Sequence, residues 1–326
     1  MPRCLNFGRN IFAIIEVNVN SENEKKLVTV VIPVFNEVES LRELNEKIQA
    51  AFRSTNYNLE IIIVDDGSRD GSAQVAREIA STFPNVTVTG FQRNRGKAAA
   101  LNEGFRLAKG DFVATIDADL QDDPEAIPAM LDYLQESGYD LVSGWKQKRQ
   151  DKFIKKTTSK IFNSVTRLLT GVKLHDINNG LKVYRAEVVK SIYLYGELHR
   201  FIPVLAKFEG FTSGEYKVKH FPRKYGKTKY GVSRFYKGFL DLLTVIFITK
   251  FMRRPMHFFG LWGIVIILIG LLSELWVLIL KFGFQEPFKD HVALLIFGVL
   301  AIVFGMQFFS LGLISEMITF QNRKEK

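Results

Sequence analysis

Thr115-Ile116-Asp117-Ala118-Asp119-Leu120-Gln121-Asp122-Asp123-Pro124 is the stretch whose reading decides the fold. An apolar run, Phe112 to Ile116, leads into it and reads as a buried strand. Acidic residues then follow where the strand gives way to a loop. Asp117 and Asp119 are two positions apart, so on an extended backbone they project to the same side. Held there, their oxygens suit a hard cation such as Mg²⁺ or Mn²⁺. Open α/β sheets place their ligands at the carboxyl ends of strands. The alternative is a solvated acidic loop that ends at Pro124, and the surrounding chain decides between them.

Upstream, the same pattern recurs. Leu27 to Pro33 is rich in β-branched residues and predicts a first buried strand. Leu41, Leu44, Ile48 and Phe52 have helical spacing. Glu60–Val64, Val86–Phe91 and Asp140–Gly144 predict further strands, with helices over Ser72–Phe83, Ala98–Ala108 and Glu125–Glu136. Strand and helix alternate as βαβ units do, which implies a mostly parallel sheet with helices on both faces. Polar residues stand where strands end: Glu37, Asp65, Asp66, Lys97, Asp117 and Asp119. A dinucleotide-binding Rossmann turn would need Gly-x-Gly-x-x-Gly after the first strand; Pro33-Val34-Phe35-Asn36-Glu37 has no glycine, and no P-loop is present.

The ordered motifs VIPVFNE (31–37), VDDGSRDGS (64–72), NRGKAAALNEG (94–104) and DADLQDDP (117–124) resemble glycosyltransferase family 2, of the GT-A fold. GWKQKRQDK (144–152), LHDINNGLKVYR (174–185), ELHRFIP (197–203) and HFPRKYGKTKYG (220–231) resemble its polyprenyl-phosphate sugar synthases, the dolichol-phosphate-mannose synthase type. The resemblance implies a nucleoside pocket at Pro33, Val34, Glu37, Asp65 and Asp66, with Gly96 and Lys97 near the nucleotide. It implies a cation, Mg²⁺ or Mn²⁺, among Asp117, Asp119 and Gln121. It also implies an inverting transfer of one sugar from a UDP- or GDP-sugar to a polyprenyl phosphate.

Two basic runs, 145–160 and 217–237, flank this region. A solvated face is one reading; a grip on the acceptor phosphate by Arg149, Arg200, Arg223 and Lys227 is the other, since guanidinium groups bind phosphate bidentately. His199 stands beside Arg200 in the same motif. Asp151 and Asp176 match acidic positions of the subgroup, where either orders the basic cluster or takes part in catalysis. An ionised phosphate needs little help from a strong base.

The last quarter is different. Residues 255–281 and 291–316 are apolar runs long enough to span a bilayer. Residues 232–254 read as juxtamembrane amphipathic helices lying in the interface. The expected organisation is a tail over 1–26, a GT-A domain over 27–231, these helices, two spans and a tail over 317–326. Lys250, Arg253 and Arg254 precede the first span, and Arg323, Lys324 and Lys326 follow the second. The positive-inside rule therefore puts the catalytic domain and both termini in the cytoplasm, on the inner membrane. Glu274 lies within the first span; it is placed near the far interface, the alternative being that it faces the other helix or a subunit neighbour. Glycines in both spans permit close helix contacts and a homo-oligomer.

The net charge of +10 admits nucleic acid, anionic lipid or a phosphorylated substrate. The basic runs lack interleaved aromatic residues beyond Tyr225 and Tyr230, which argues against nucleic acid. One cysteine, Cys4, excludes an intrachain disulfide and suggests a reducing compartment. No secretory signal is expected, since Ile11–Ile15 is too short. Two rivals remain: a processive polysaccharide synthase of the same fold, disfavoured by having only two spans, and a catalytically silent membrane-tethered binding protein, disfavoured by the intact acidic motif.

Overall fold

The computed structural model describes residues 25–146, 164–225, 233–251 and 254–324. The chain divides into two compact units, Met1–Arg234 and Phe235–Lys326.

In the first unit the strands are β1 (Lys26–Val34), β2 (Tyr57–Asp65), β3 (Val86–Gly90), β4 (Phe112–Thr115), β5 (Leu141–Lys146), β6 (Lys182–Arg185) and β7 (Ser213–Val218). They form one seven-stranded sheet in the order β3-β2-β1-β4-β6-β5-β7. β1 pairs in parallel with β2 and β4, and β5 with β7; β6 runs antiparallel to both its neighbours. The helices are α1 (Leu41–Phe52), α2 (Ser72–Thr82), α3 (Lys97–Leu107) and α4 (Ala126–Ser137), then α5 at 164–170, α6 (Ala186–Ser191) and α7 (Ile202–Phe208).

The core forms where the sequence periodicity places it. Leu41, Leu44, Ile48 and Phe52 line the inner face of α1 and pack with Val28, Val30, Ile32 and Ile63 of the sheet. β1 lies inside the sheet, between β2 and β4, and still carries Pro33. The proline is accommodated because β1's ladder with β4 covers only Val28–Val31, so no partner on that side needs an N–H from residue 33. From β1 the chain steps outward to β2 and β3, then returns to the other side of β1 as β4. The strand order reverses between β1 and β4, and a crevice opens at their carboxyl ends at such a switch point. β6 and β7 were not expected. The antiparallel β6 is four residues long and contains a lysine, which hides it from a search for apolar runs.

The second unit contains α8 (Ser233–Phe251), α9 (Pro255–Gly283) and α10 (Val292–Lys324). α8 is one continuous helix whose Phe247 meets Phe258 and Phe259 of α9 at ring-centroid distances of 6.0 and 5.8 Å. Two apolar helices, Pro255–Gly283 and Phe288–Gln321, are long enough to cross a membrane, with mean hydropathy of 2.6 and 2.5. Only 22% and 17% of their apolar windows are buried, unlike the core helix of a soluble domain. α10 runs on past residue 316, where the second span was expected to end. Glu274 does face the other helix: its carboxylate lies against Gly298 of α10, at the position a Cβ there would occupy.

Candidate active site

Three loops meet at the β1–β4 crevice, held by polar side chains. In the loop after β1, Asn36 has a left-handed backbone (φ 54), which asparagine tolerates. Its N–H donates to Ser68 Oγ at 2.9 Å, and its Oδ1 accepts from the Arg69 N–H at 2.8 Å. Glu37 N–H donates to Ser72 Oγ at 2.9 Å. In the loop after β2, Asp66 accepts from the N–H groups of Arg95 (2.7 Å) and Gly96 (2.9 Å), tying this loop to the start of α3. Burial raises the Asp66 carboxyl, and those two bonds offset it only in part. Asp65 accepts from Ser68 N–H. Gly67 (φ 73) is required because a Cβ there would come within 2.5 Å of the Arg93 backbone.

The loop after β4 carries the two central carboxylates. Asp117 is ion-paired with Lys97 of α3. Burial favours its neutral form, but the Lys97 ammonium outweighs burial and holds the carboxyl below the usual range. Asp119 goes the other way: burial, and then the charge of Asp117, push it up to about 6. Leu120 (φ 58) holds the turn in a conformation uncommon for a branched side chain, a form of strain that clusters at functional sites. The Gln121 carbonyl is pinned by Phe221 N–H and the His220 ring, each at 3.0 Å. Arg223 pairs with Glu37 and lies 3.9 Å from Asp119, so it stands with the acidic groups of β1 and β4.

β6 and its neighbours close the crevice. Gly180 lies so close to Asp117 that a Cβ would sit 2.6 Å from Oδ2. The Thr115 hydroxyl donates to the Gly180 carbonyl at 2.9 Å. Pro33, Lys97, Asp117, Gly180, Lys182 and His199 are among the residues lining one small cavity of about 10 Å³, with Lys97 and Asp117 joined within it. Asp176 is buried; Glu215 of β7 accepts its N–H at 2.9 Å and that of His175 through the same oxygen. Arg200 is buried and paired with Glu197 at 2.7 Å. Arg149, Asp151 and Lys227 lie outside the described residues.

Lys182, Glu215 and the Asp122–Lys146 ion pair (2.6 Å) were not singled out from sequence. One signal for Lys182 was available: Leu181-Lys182-Val183-Tyr184 places a lysine inside an apolar run, and all four side chains are buried.

Among the described residues no group of three or more His, Cys, Asp or Glu side chains could hold a metal ion. The paired carboxylates nonetheless fit Mg²⁺ or Mn²⁺, which take oxygen ligands and commonly use one or two carboxylates plus substrate phosphates. Burial, and then the charge of Asp117, raise the Asp119 carboxyl, and a bound cation would relieve both.

The family model for "Glycosyl transferase family 2" matches residues 29–193. Dodecaprenyl-phosphate galacturonate synthase from Rhizobium johnstonii is 37% identical over 295 residues, covering 89% of this chain and 87% of its own. Undecaprenyl-phosphate 4-deoxy-4-formamido-L-arabinose transferase from Pseudomonas savastanoi pv. phaseolicola is 37% identical, covering 90% and 86%. Among solved structures, mannosyl-3-phosphoglycerate synthase from Rubrobacter xylanophilus aligns with a TM-score of 0.54 at 17% identity, over 69% of this chain and 75% of that one. Glucosyl-3-phosphoglycerate synthase from Mycobacterium tuberculosis, in complex with Mn²⁺, UDP-glucose and phosphoglyceric acid, gives 0.53 at 18%, over 69% and 79%. The chain belongs to glycosyl transferase family 2. It is an enzyme of the glycosyltransferase class, with the GT-A-like fold that its motifs implied.

Proposed function

We propose that this enzyme transfers one sugar from a nucleoside-diphosphate sugar to a polyprenyl phosphate, with inversion at the anomeric carbon. The observation that carries this reading is the meeting of Asp117, Asp119, Lys97 and Arg223 at the β1–β4 switch point, in a chain that ends in two apolar helices long enough to cross a membrane. The two relatives named above act on dodecaprenyl- and undecaprenyl-phosphate, which supports the acceptor class.

In this reading Pro33, Val34, Glu37, Asp65 and Asp66 border the nucleoside, and the loops knitted by Asp66 and Asn36 hold that border rigid. Asp117 and Asp119, with Gln121 beside them, would hold Mg²⁺ or Mn²⁺. The cation, when bound, neutralises charge on the departing nucleoside diphosphate. Lys97, ion-paired with Asp117 in the crevice, would offer its ammonium to the diphosphate. Arg200 and Arg223, with Arg149 and Lys227, are the acceptor-phosphate candidates. An ionised phosphate oxygen attacks without prior proton removal, so Asp176 and Asp151 serve to position it. The helical unit anchors the enzyme in the bilayer, and the flanking lysines and arginines favour the cytoplasmic side for the catalytic unit.

The test is a donor screen: purified full-length protein, undecaprenyl phosphate, Mn²⁺ and a panel of UDP- and GDP-sugars, with the glycolipid identified by mass. One sugar per lipid is expected. A ladder of products would restore the processive reading, and absence of any glycolipid would overturn the proposal.

A further inference from the structure

Lys182 is 2% exposed and projects from β6 into the crevice beside Asp117. Among the described residues no carboxylate lies within ion-pairing distance of it; its ammonium donates to the Asn179 carbonyl. Burial, and next the neighbouring Lys97, bring this ammonium down to about 8, and the charges of Asp176, Asp117 and Asp122 offset that only in part. Keeping a lysine here costs the folded state free energy that an apolar residue would not. His199 lines the same cavity, and its Nδ1 is buried with no hydrogen-bond partner among the described residues. The Asn179 side chain is held in place, its amide nitrogen donating to the Gly144 carbonyl and its oxygen accepting from Leu181 N–H.

The cavity therefore presents the Lys182 ammonium and the His199 imidazole, which burial holds neutral, so that its Nδ1 donates or accepts according to the tautomer; its one carboxylate, Asp117, is paired with Lys97. Lys182, set apart from the Lys97–Asp117 pair, has no anion in contact among the described residues. A sugar hydroxyl brings a donor as well as lone pairs, whereas a carboxylate only accepts and carries charge. We propose that the donor sugar bears a carboxylate, as a uronic acid does, and that Lys182 is the specificity-determining residue that receives it, with His199 alongside. This rests on the transferase reading above and narrows its donor.

The experiment compares donors that differ only at the sugar's C6: UDP-glucuronate with UDP-glucose, UDP-galacturonate with UDP-galactose, and GDP-mannuronate with GDP-mannose. Each is offered to the full-length protein with undecaprenyl phosphate and Mn²⁺. In at least one pair the uronate should be favoured in kcat/KM on the order of tenfold or more, as a charge-assisted contact provides. Lys182→Met should shrink that ratio towards unity by raising the donor KM, leaving the KM for the lipid in place. Preference for the neutral sugar in every reacting pair would overturn the inference and leave the transferase reading standing. So would a Lys182→Met protein in which the lipid KM rises and the donor ratio is unchanged, since the anion would then be the acceptor's phosphate. No glycolipid from any donor would sink both. The donor comparison uses the unaltered chain, so poor folding of the variant does not remove the test.

Discussion

The two units of this chain solve opposite problems with polar side chains. In the α/β unit, charged groups are drawn inward to the carboxyl ends of β1 and β4: Asp117 with Lys97, Asp122 with Lys146, and Arg223 with Glu37. In the helical unit the outside is apolar, with Leu261, Trp262, Leu272 and Phe304 all exposed. Polar groups there lie between the helices. Ser273 Oγ donates to the Leu294 carbonyl at 3.1 Å, Glu274 lies against Gly298, and Glu316 accepts from Met256 N–H at 3.2 Å, capping the start of α9. Glycines let the backbones approach: a Cβ on Gly270 would sit 2.7 Å from the Gly298 carbonyl, and one on Gly263 would sit 2.8 Å from that of Gly305. The lesson is that buried charge in the first unit is maintained against a stability cost and so points to chemistry, whereas in the second unit Ser273 and Glu316 tie two helices together and the Glu274 Oε1 is buried without a hydrogen-bond partner among the described residues.

That contrast predicts a graded series of effects. The largest falls on the acidic pair. Asp117→Ala or Asp119→Ala should lower transfer by about 10²–10³-fold or more with the circular dichroism spectrum unchanged; normal transfer by either protein would break the assignment. Asp119→Asn carries a second, opposite effect. With its carboxyl pushed up to about 6 from the ordinary 3.8, the charge destabilises the folded state, fully above pH 6 and not at all well below 3.8. The cation-free Asn variant should therefore melt higher than the parent at pH 7, with the gain fading as pH falls through that window. A lower melting point at pH 7 would mean that the carboxylate is stabilising.

Next comes Gly180→Ala, whose methyl group would displace the Asp117 carboxylate. A shift approaching 1 Å costs about a hundredfold in comparable sites, so kcat/KM should drop by about 10- to 100-fold while the fold persists. Kinetics matching the parent would show that the carboxylate has room to move.

In the helical unit the effects should appear in stability instead. Gly270→Leu forces α9 and α10 apart and should cost about 1–3 kcal/mol in detergent-solubilised protein, leaving nucleoside-diphosphate binding by the other unit intact. Loss of that binding would show that the units depend on one another. The smallest effect is expected of Glu316→Ala, which removes a cap from α9 and should cost about 0.5–2 kcal/mol. A melting curve superimposed on the parent's would dismiss the cap.

How much of this was legible depended on distance along the chain. β1, β2 and α1 announced themselves through β-branched runs and the spacing of Leu41, Leu44, Ile48 and Phe52. Asp117 and Asp119 were legible because they directly follow an apolar strand. β6 was not, since its four residues include Lys182 and it draws its order from pairing with β4 and β5. Arg223 was read as an acceptor-side residue from its basic neighbours; the fold sets it against Glu37 and near Asp119.

By itself the sequence determined the alternating elements, the acidic strand end and the two apolar helices. Each of these is a local pattern, set by side-chain periodicity and by which residues water rejects. The tertiary structure alone decided which charges meet. Lys97 faces Asp117, Arg223 reaches Glu37, and Lys182 is sealed beside Gly180 and His199. Those partners come from separate strands and loops and share no repeat, so only the closing of the sheet around its switch point brings them within reach of one another.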